Sequence, residues 1–267
     1  MVLSRGYLSA FVDGLQRQGC YTFALSELAA STLANGRSLS AAITRLIAKG
    51  RLRRFTVRGD FFVIIPHEYH SLGAPPVAWV LDDYMRHLGI AYYVGLLTAA
   101  EWHGSAHFAV QETQVIVSKQ LRSIEFERTR VRFVVKHGAA ATPVEIRTTE
   151  AGSVRVSTPE ATLLDMVRYR HAVGGLNRIA TIAADLGRLC RPAGLQAALD
   201  AAEDPRSAQR LGYLLEKLAF KTSTDTIGRW ISQHRHSACA LEPALPADGP
   251  QRAPWDVIEN TAIEVSR

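Results

Sequence analysis

At 267 residues, with 47% apolar and 21% charged, the chain has the make-up of a globular protein with one large domain or two modest ones, which excludes disorder as its main state. Its longest run without Asp, Glu, Lys or Arg is the 14 residues from His87 to Ala100, short of the about 20 that a membrane-spanning helix requires. Arg5 and Asp13 break up the N-terminal apolar residues, so no signal-peptide core is expected there. Cys20, Cys190 and Cys239, odd in number and widely spaced, fit a reducing cytoplasm better than a disulfide scaffold.

The net charge of +6 is concentrated in one place. Residues 1–66 hold nine Arg/Lys against three Asp/Glu, whereas the other 201 residues hold 22 of each. Between Leu28 and Gly59 there are seven cations (Arg37, Arg45, Lys49, Arg51, Arg53, Arg54, Arg58) and no carboxylate. A field that one-sided points to a polyanionic partner for this part of the chain. A solvated basic face is the plainer alternative.

The elements in this region favour the polyanion. Leu8, Phe11, Val12 and Leu15 recur at helical spacing and predict an amphipathic first helix. Ser26 before Glu27-Leu28-Ala29-Ala30 reads as the cap of a second helix, and Asn35-Gly36 supplies a turn. A further short helix follows, capped by Ser38 or Ser40 and closed by Gly50, with Leu39, Ile43, Leu46 and Ile47 on one face. Its other face is left with Ser38, Ser40, Ala41, Thr44, Arg45 and Lys49, none of them acidic. Two β-rich runs, Leu52 to Val57 and Phe61 to Ile65, flank Arg58-Gly59-Asp60, a tight-hairpin signal.

This order is the plan of a winged helix-turn-helix. A helix with small side chains enters a major groove, where Ser, Thr and Arg reach base edges, and hairpin arginines reach phosphates or the minor groove. The expected partner is double-stranded DNA, with base contacts from Ser38, Ser40, Thr44 and Arg45 and phosphate contacts from Arg37, Lys49, Arg54 and Arg58. Arg53 is a further candidate; being adjacent to Arg54, it points to the opposite face of the strand, so at most one of the two touches DNA unless the hairpin is strongly twisted. Winged helices also serve as protein-interaction modules, a reading that seven uncompensated cations argue against.

Residues 67–76, with Gly73-Ala74-Pro75-Pro76, read as a linker between a 1–66 DNA-binding domain and a 77–267 domain. In the latter, 77–88 and 92–103 are expected to be helical. Gln114 to Ser157 alternates β-branched residues and predicts four or five strands in a mostly antiparallel sheet. Ser157-Thr158-Pro159-Glu160 opens a helix, with Glu160 placed for a capping box. Helices follow at 176–187, 192–202 and 206–220, and a short one near 225–234. A proline-rich stretch from Leu241 to Pro254 leads to an expected terminal strand, Trp255 to Val265, docked on this domain. The fold class is therefore α+β throughout, a winged helix-turn-helix followed by a larger α+β domain.

Signatures of catalysis are missing from the sequence. It contains no phosphate-binding loop, dinucleotide fingerprint, nucleophile elbow or zinc-protease helix. Gly104 and Ser105 separate His103 from His107, and His234, His236 and Cys239 lack a second Cys/His pair, so no metal is expected. A nuclease strand of acid–x–Lys type is not matched by Val117-Ser118-Lys119. Glu125 and Glu127 beside Arg128 read as an ion-paired face, and Glu160 and Asp165, five apart, do not converge on a helix, leaving Asp165 as exposed or ion-paired. No enzyme activity and no cofactor are expected.

Three stretches carry a family resemblance. Tyr93-Val94-Gly95-Leu96-Leu97-Thr98-Ala99-Ala100-Glu101-Trp102-His103-Gly104 resembles the helix ending in His-Gly of the abortive-infection AbiEi antitoxin family. Ser157-Thr158-Pro159-Glu160-Ala161-Thr162-Leu163-Leu164-Asp165 is similar to its Ser/Thr-Pro-Glu-x-Thr-Leu-Leu-Asp helix start, and Leu241-Glu242-Pro243 with Trp255 and Asn260 to its C-terminal end. The resemblance implies an antitoxin of a type IV toxin–antitoxin pair, which represses its own operon through upstream repeats and counters a nucleotidyltransferase-like toxin. The alternatives are a winged-helix transcription factor whose second domain senses a small molecule and an enzyme tethered to DNA.

Overall fold

The computed structural model describes residues 6–31, 36–57, 59–105 and 112–264. Its N-terminal unit runs α1 (Tyr7–Arg17), β1 (Thr22–Ala24), α2 (Leu25–Ala30), α3 (Gly36–Ala48), β2 (Leu52–Arg54) and β3 (Phe61–Ile64). Two features depart from the sequence expectation. A strand lies between the first two helices: Thr22-Phe23-Ala24 pairs antiparallel with β3, which also pairs with β2. The hairpin strands are also shorter than expected: β2 ends at Arg54, and the fully buried Phe55 keeps one backbone bond to β3, its N–H donating to the Phe61 carbonyl at 3.1 Å.

The caps differ as well. α2 starts at Leu25, and Ser26 lies inside it; the carboxylate of Glu27 accepts from the Ala24 N–H at 3.0 Å. α3 starts at Gly36, so Ser38 and Ser40 are helix residues rather than caps, while Gly50, at φ +70°, ends the turn as expected. Leu8, Val12, Phe23, Leu28, Ile43, Leu46, Leu52, Phe62 and Ile64 make the core of this unit.

The second part is built on a six-stranded sheet: β4 (Tyr92–Val94), β5 (Glu112–Val117), β6 (Ile124–Phe126), β7 (Thr129–Val135), β8 (Val144–Thr149) and β9 (Gly152–Ser157). The strand order is β6-β7-β5-β4-β9-β8. Three neighbouring pairs are antiparallel, while β5–β7 and β4–β9 are parallel, so the sheet is mixed. β4 was expected to belong to a helix over 92–103; the helix α5 begins only at Leu96 and ends at Trp102. All three β4 residues are buried, since both faces of this strand are covered, and a doubly buried strand shows no apolar/polar alternation.

Successive side chains feed two cores. Tyr93 and Ile116 join one, with α6 (Pro159–Arg168), α7 (Leu176–Leu186), α8 (Pro192–Ala202), α9 (Pro205–Lys217) and α10 (Lys221–Ser232). Tyr92, Val94, Val115, Val117, Val154 and Val156 join the other, together with α4 (Leu81–Leu88). The start of the expected 77–88 helix is a 3₁₀ turn, Val77–Trp79. Thr158 caps α6 through the Ala161 N–H, but Glu160 makes no capping box: it is 5% exposed and accepts from the Arg191 N–H at 2.8 Å.

The second core crosses into the N-terminal unit. Phe55 packs on Tyr84 and Phe126 with ring centroids 4.8 and 5.1 Å apart, and Phe61 on Tyr84 at 5.4 Å. Residues 67–76 carry a 3₁₀ turn, His67–Tyr69, and Tyr69 packs edge-on against Trp79. At the C-terminal end, β10 (Cys239–Ala240), β11 (Gln251–Arg252) and β12 (Val257–Ile258) form a small sheet. The strand expected over Trp255 to Val265 is thus two residues long, and Val265 lies outside the described residues. Trp255, 2% exposed, lies where a Cβ on Gly212 of α9 would come within 2.3 Å of its ring, so only glycine fits there.

Candidate nucleic-acid interface

α3 positions the interface by its own periodicity. Ile43 and Leu46 are buried, Leu39, Ala42 and Ile47 are half-buried, and Arg37, Ser38, Ser40, Ala41, Thr44, Arg45, Ala48 and Lys49 are exposed. At 100° per residue the exposed set covers about half the helix circumference. Every side chain expected to contact DNA from this helix therefore lies on one solvent face, with the apolar stripe beneath it on α1 and the small sheet. Thr44 Oγ1 donates to the Ser40 carbonyl at 3.0 Å. Among the described residues no carboxylate lies within ion-pair distance of Arg37, Arg45, Lys49 or Arg54.

Two cations of the basic stretch are neutralised by acids from elsewhere in the chain. Arg51 pairs with Asp13 of α1 at 2.5 Å. Arg53 pairs with Glu127, in the turn between β6 and β7, at 2.6 Å, and donates to the Ile47 carbonyl at 3.1 Å. Arg54 is exposed, lies over the Phe62 ring at 4.8 Å and donates to the Gly59 carbonyl at 2.7 Å. The two adjacent arginines thus diverge, as strand alternation requires. Arg58 lies outside the described residues, as does His107.

Sequence reasoning missed that the basic unit is held by polar ties as well as by the aromatic cluster. Thr22 donates to Asp83 at 2.6 Å, and His87 lies 3.2 Å from Asp60. Glu127 gave no sign of this role, because a contact 74 residues away leaves no local pattern.

Two cations in the second part are treated differently. Lys136, 4% exposed, pairs with Asp165 at 2.7 Å; Asp165, 1% exposed, also accepts from the Tyr93 hydroxyl at 2.5 Å. Burial, and then the Asp165 charge, push the Tyr93 pKa far up, so this hydroxyl stays a donor. Asp165 was expected to be exposed or ion-paired; it is paired but buried. Arg170 is likewise buried against Glu242 at 3.1 Å. His234 Nδ1 lies 2.7 Å from the Trp230 carbonyl, with its ring stacked on that indole, and His236 pairs with Asp256. Among the described residues there is no group of three His, Cys, Asp or Glu that could hold a metal, and no helix is long and apolar enough to cross a membrane.

Fold and face define a two-part α+β protein in which a small unit with a basic, carboxylate-free helix face is fastened to a mixed-sheet domain. Residues 93–217, from the central strand β4 to the end of α9, match the family model of the AbiEi antitoxin C-terminal domain. A crystal structure of the RV2827C protein from Mycobacterium tuberculosis is similar in fold, with a TM-score of 0.62 over 96% of this chain and 92% of that one at 16% identity. No curated protein matches the sequence.

Proposed function

We propose that the chain is a cytoplasmic, DNA-binding antitoxin of a type IV toxin–antitoxin pair, without catalysis or cofactor of its own. In this reading residues 1–66 act as a winged helix-turn-helix that binds double-stranded DNA upstream of its own operon and represses it. The larger domain counters a nucleotidyltransferase-like toxin encoded by a neighbouring gene. The family match supports the antitoxin role. The observation that carries the DNA reading is the exposed face of α3, small, polar and basic, with no acid among its residues.

Within that face, Ser38, Ser40, Thr44 and Arg45 are proposed to read base edges, and Arg37, Lys49, Arg54 and Arg58 to hold phosphates. Arg53 takes a lesser part, since it is already tied to Glu127. The test is binding of the full chain to duplex DNA from upstream of its gene across a salt series. Neutralising about five phosphates gives a log–log slope near −4 or −5; a flat dependence overturns the DNA reading. For the antitoxin reading, the neighbouring gene is induced with and without this chain. Restored growth supports it, and unrelieved toxicity overturns it.

A further inference from the structure

β8 ends the six-stranded sheet, pairing on one side only, with β9. The Thr158 N–H donates to the Pro143 carbonyl, so the backbone groups of odd-numbered residues in this strand face β9. Those of Val144, Ile146 and Thr148 point outward, and among the described residues they have no hydrogen-bond partner. The other edge strand, β6, has three residues, whereas β8 has six. No Pro, Lys or bulge interrupts β8, and Ile146 at its centre is 60% exposed. A long edge of this kind is a template for another strand.

The residue pattern says which strand. In an antiparallel pairing of β8 with itself, centred on Ile146, Ile146 faces its own copy and Val144 faces Thr148. Glu145 then lies opposite Arg147, and Arg147 opposite Glu145, with each opposed pair on one face of the sheet. Glu145 is exposed, and Arg147 is half-buried, with its guanidinium donating to the Trp102 carbonyl at 2.6 Å and lying 3.9 Å from Glu145 of the same strand. Sliding the pairing by two residues sets Arg147 opposite its own copy and loses this match. From this self-complementary edge we propose that two copies of the chain associate through β8, about a twofold axis at Ile146, joining their sheets into one. A twofold contact of this type is closed and cannot extend into a filament.

The test is sedimentation velocity of the full chain from about 1 to about 100 µM, concentrations that bracket micromolar association, with and without substitutions in β8. The wild type is expected to form a dimer. Ile146→Lys places two ammonium groups face to face, and Glu145→Arg or Arg147→Glu replaces two attractions by two repulsions; each is expected to weaken the dimer about tenfold. Mixing Glu145→Arg with Arg147→Glu restores opposite charges across the axis, so the mixture should dimerise about tenfold more tightly than either variant alone. Thermal melting checks that each variant is folded, and Ile146→Lys, at an exposed position, keeps the test decisive if Arg147→Glu is not. A wild type that stays monomeric over the whole range overturns the proposal. So does a dimer that Ile146→Lys leaves intact, or a mixture no stronger than its components.

Discussion

The α3 face of the N-terminal unit and two buried cations of the larger domain use positive charge in opposite ways. In the N-terminal unit Arg37, Arg45 and Lys49 stand in solvent, among the described residues without a carboxylate in ion-pair distance, on a helix whose other face is core. In the larger domain Lys136 and Arg170 are buried and each is matched to an acid. An exposed, uncompensated cation contributes little to folding and is available to a polyanion. A buried, paired cation holds elements together and is available to nothing. Arg53 lies between the two regimes, a member of the basic stretch drawn off by Glu127 of the other part. A surplus of charge in a segment is therefore an upper bound on what its surface offers a partner.

The largest effect is expected where the comparison is broken from the buried side. Asp165→Asn leaves Lys136 without its counter-charge, and removing one partner of a buried pair costs about 3–5 kcal/mol. Denaturant unfolding should show that loss for Asp165→Asn, and a much smaller one for the double variant Lys136→Met with Asp165→Leu. Equal losses would mean that the pair contributes to stability in its own right rather than merely being costly to split.

Arg45→Ala tests the exposed side. It should leave the melting temperature within a degree or two, while costing about 1–3 kcal/mol of discrimination between the operator and unrelated duplex. Fluorescence anisotropy with two duplexes reads this directly. A uniform loss on both duplexes would move Arg45 from the base-reading to the phosphate-holding residues. Arg53→Ala sharpens the boundary between the regimes. Its half-exposed pair with Glu127 is worth about 0.2–1 kcal/mol of stability, and the salt slope of DNA binding should stay unchanged, because an arginine already tied to a carboxylate releases no phosphate counterion.

The smallest effect concerns the tail and acid. Hydrogen bonds from Tyr213, then from Arg252, hold the Glu259 carboxyl down at about 2, against about 4.3 for a free glutamate. A group depressed in the folded state stabilises it above the unfolded value and loses that contribution as pH falls through the folded one. Tail docking should therefore weaken between pH 4 and pH 2, seen as increased proteolytic cleavage after α10 by an acid-active protease. Glu259→Gln should flatten that dependence. The same weakening in the variant would assign the acid response to other carboxylates.

Where burial was one-sided, local pattern sufficed. The stripe of Leu39, Ile43, Leu46 and Ile47 marked both α3 and, by subtraction, its solvent face, because an amphipathic helix writes its orientation at a 3.6-residue period. The β-branched pattern over 114–157 marked four or five strands, and five form there. β4 was hidden, since Tyr92-Tyr93-Val94 is buried on both faces, and so was β1, three residues whose pairing with β3 is set by contacts about forty positions away. Short strands owe their existence to their partners.

By itself, then, the sequence determined the charge asymmetry, the basic face of α3, the starts of α6 to α9 and the stretches that resemble the antitoxin family. All of these are local: they depend on neighbours within a turn or on composition within a segment. Only the tertiary structure decided that Asp165 is buried against Lys136 and Tyr93, that Glu127 takes up Arg53, that the Phe55 ring packs on Tyr84 and Phe126, and that β8 is a free edge. Each of these joins residues distant in the chain, and such contacts are selected by what the whole chain can bury and pair at once, a constraint that no single window of sequence contains.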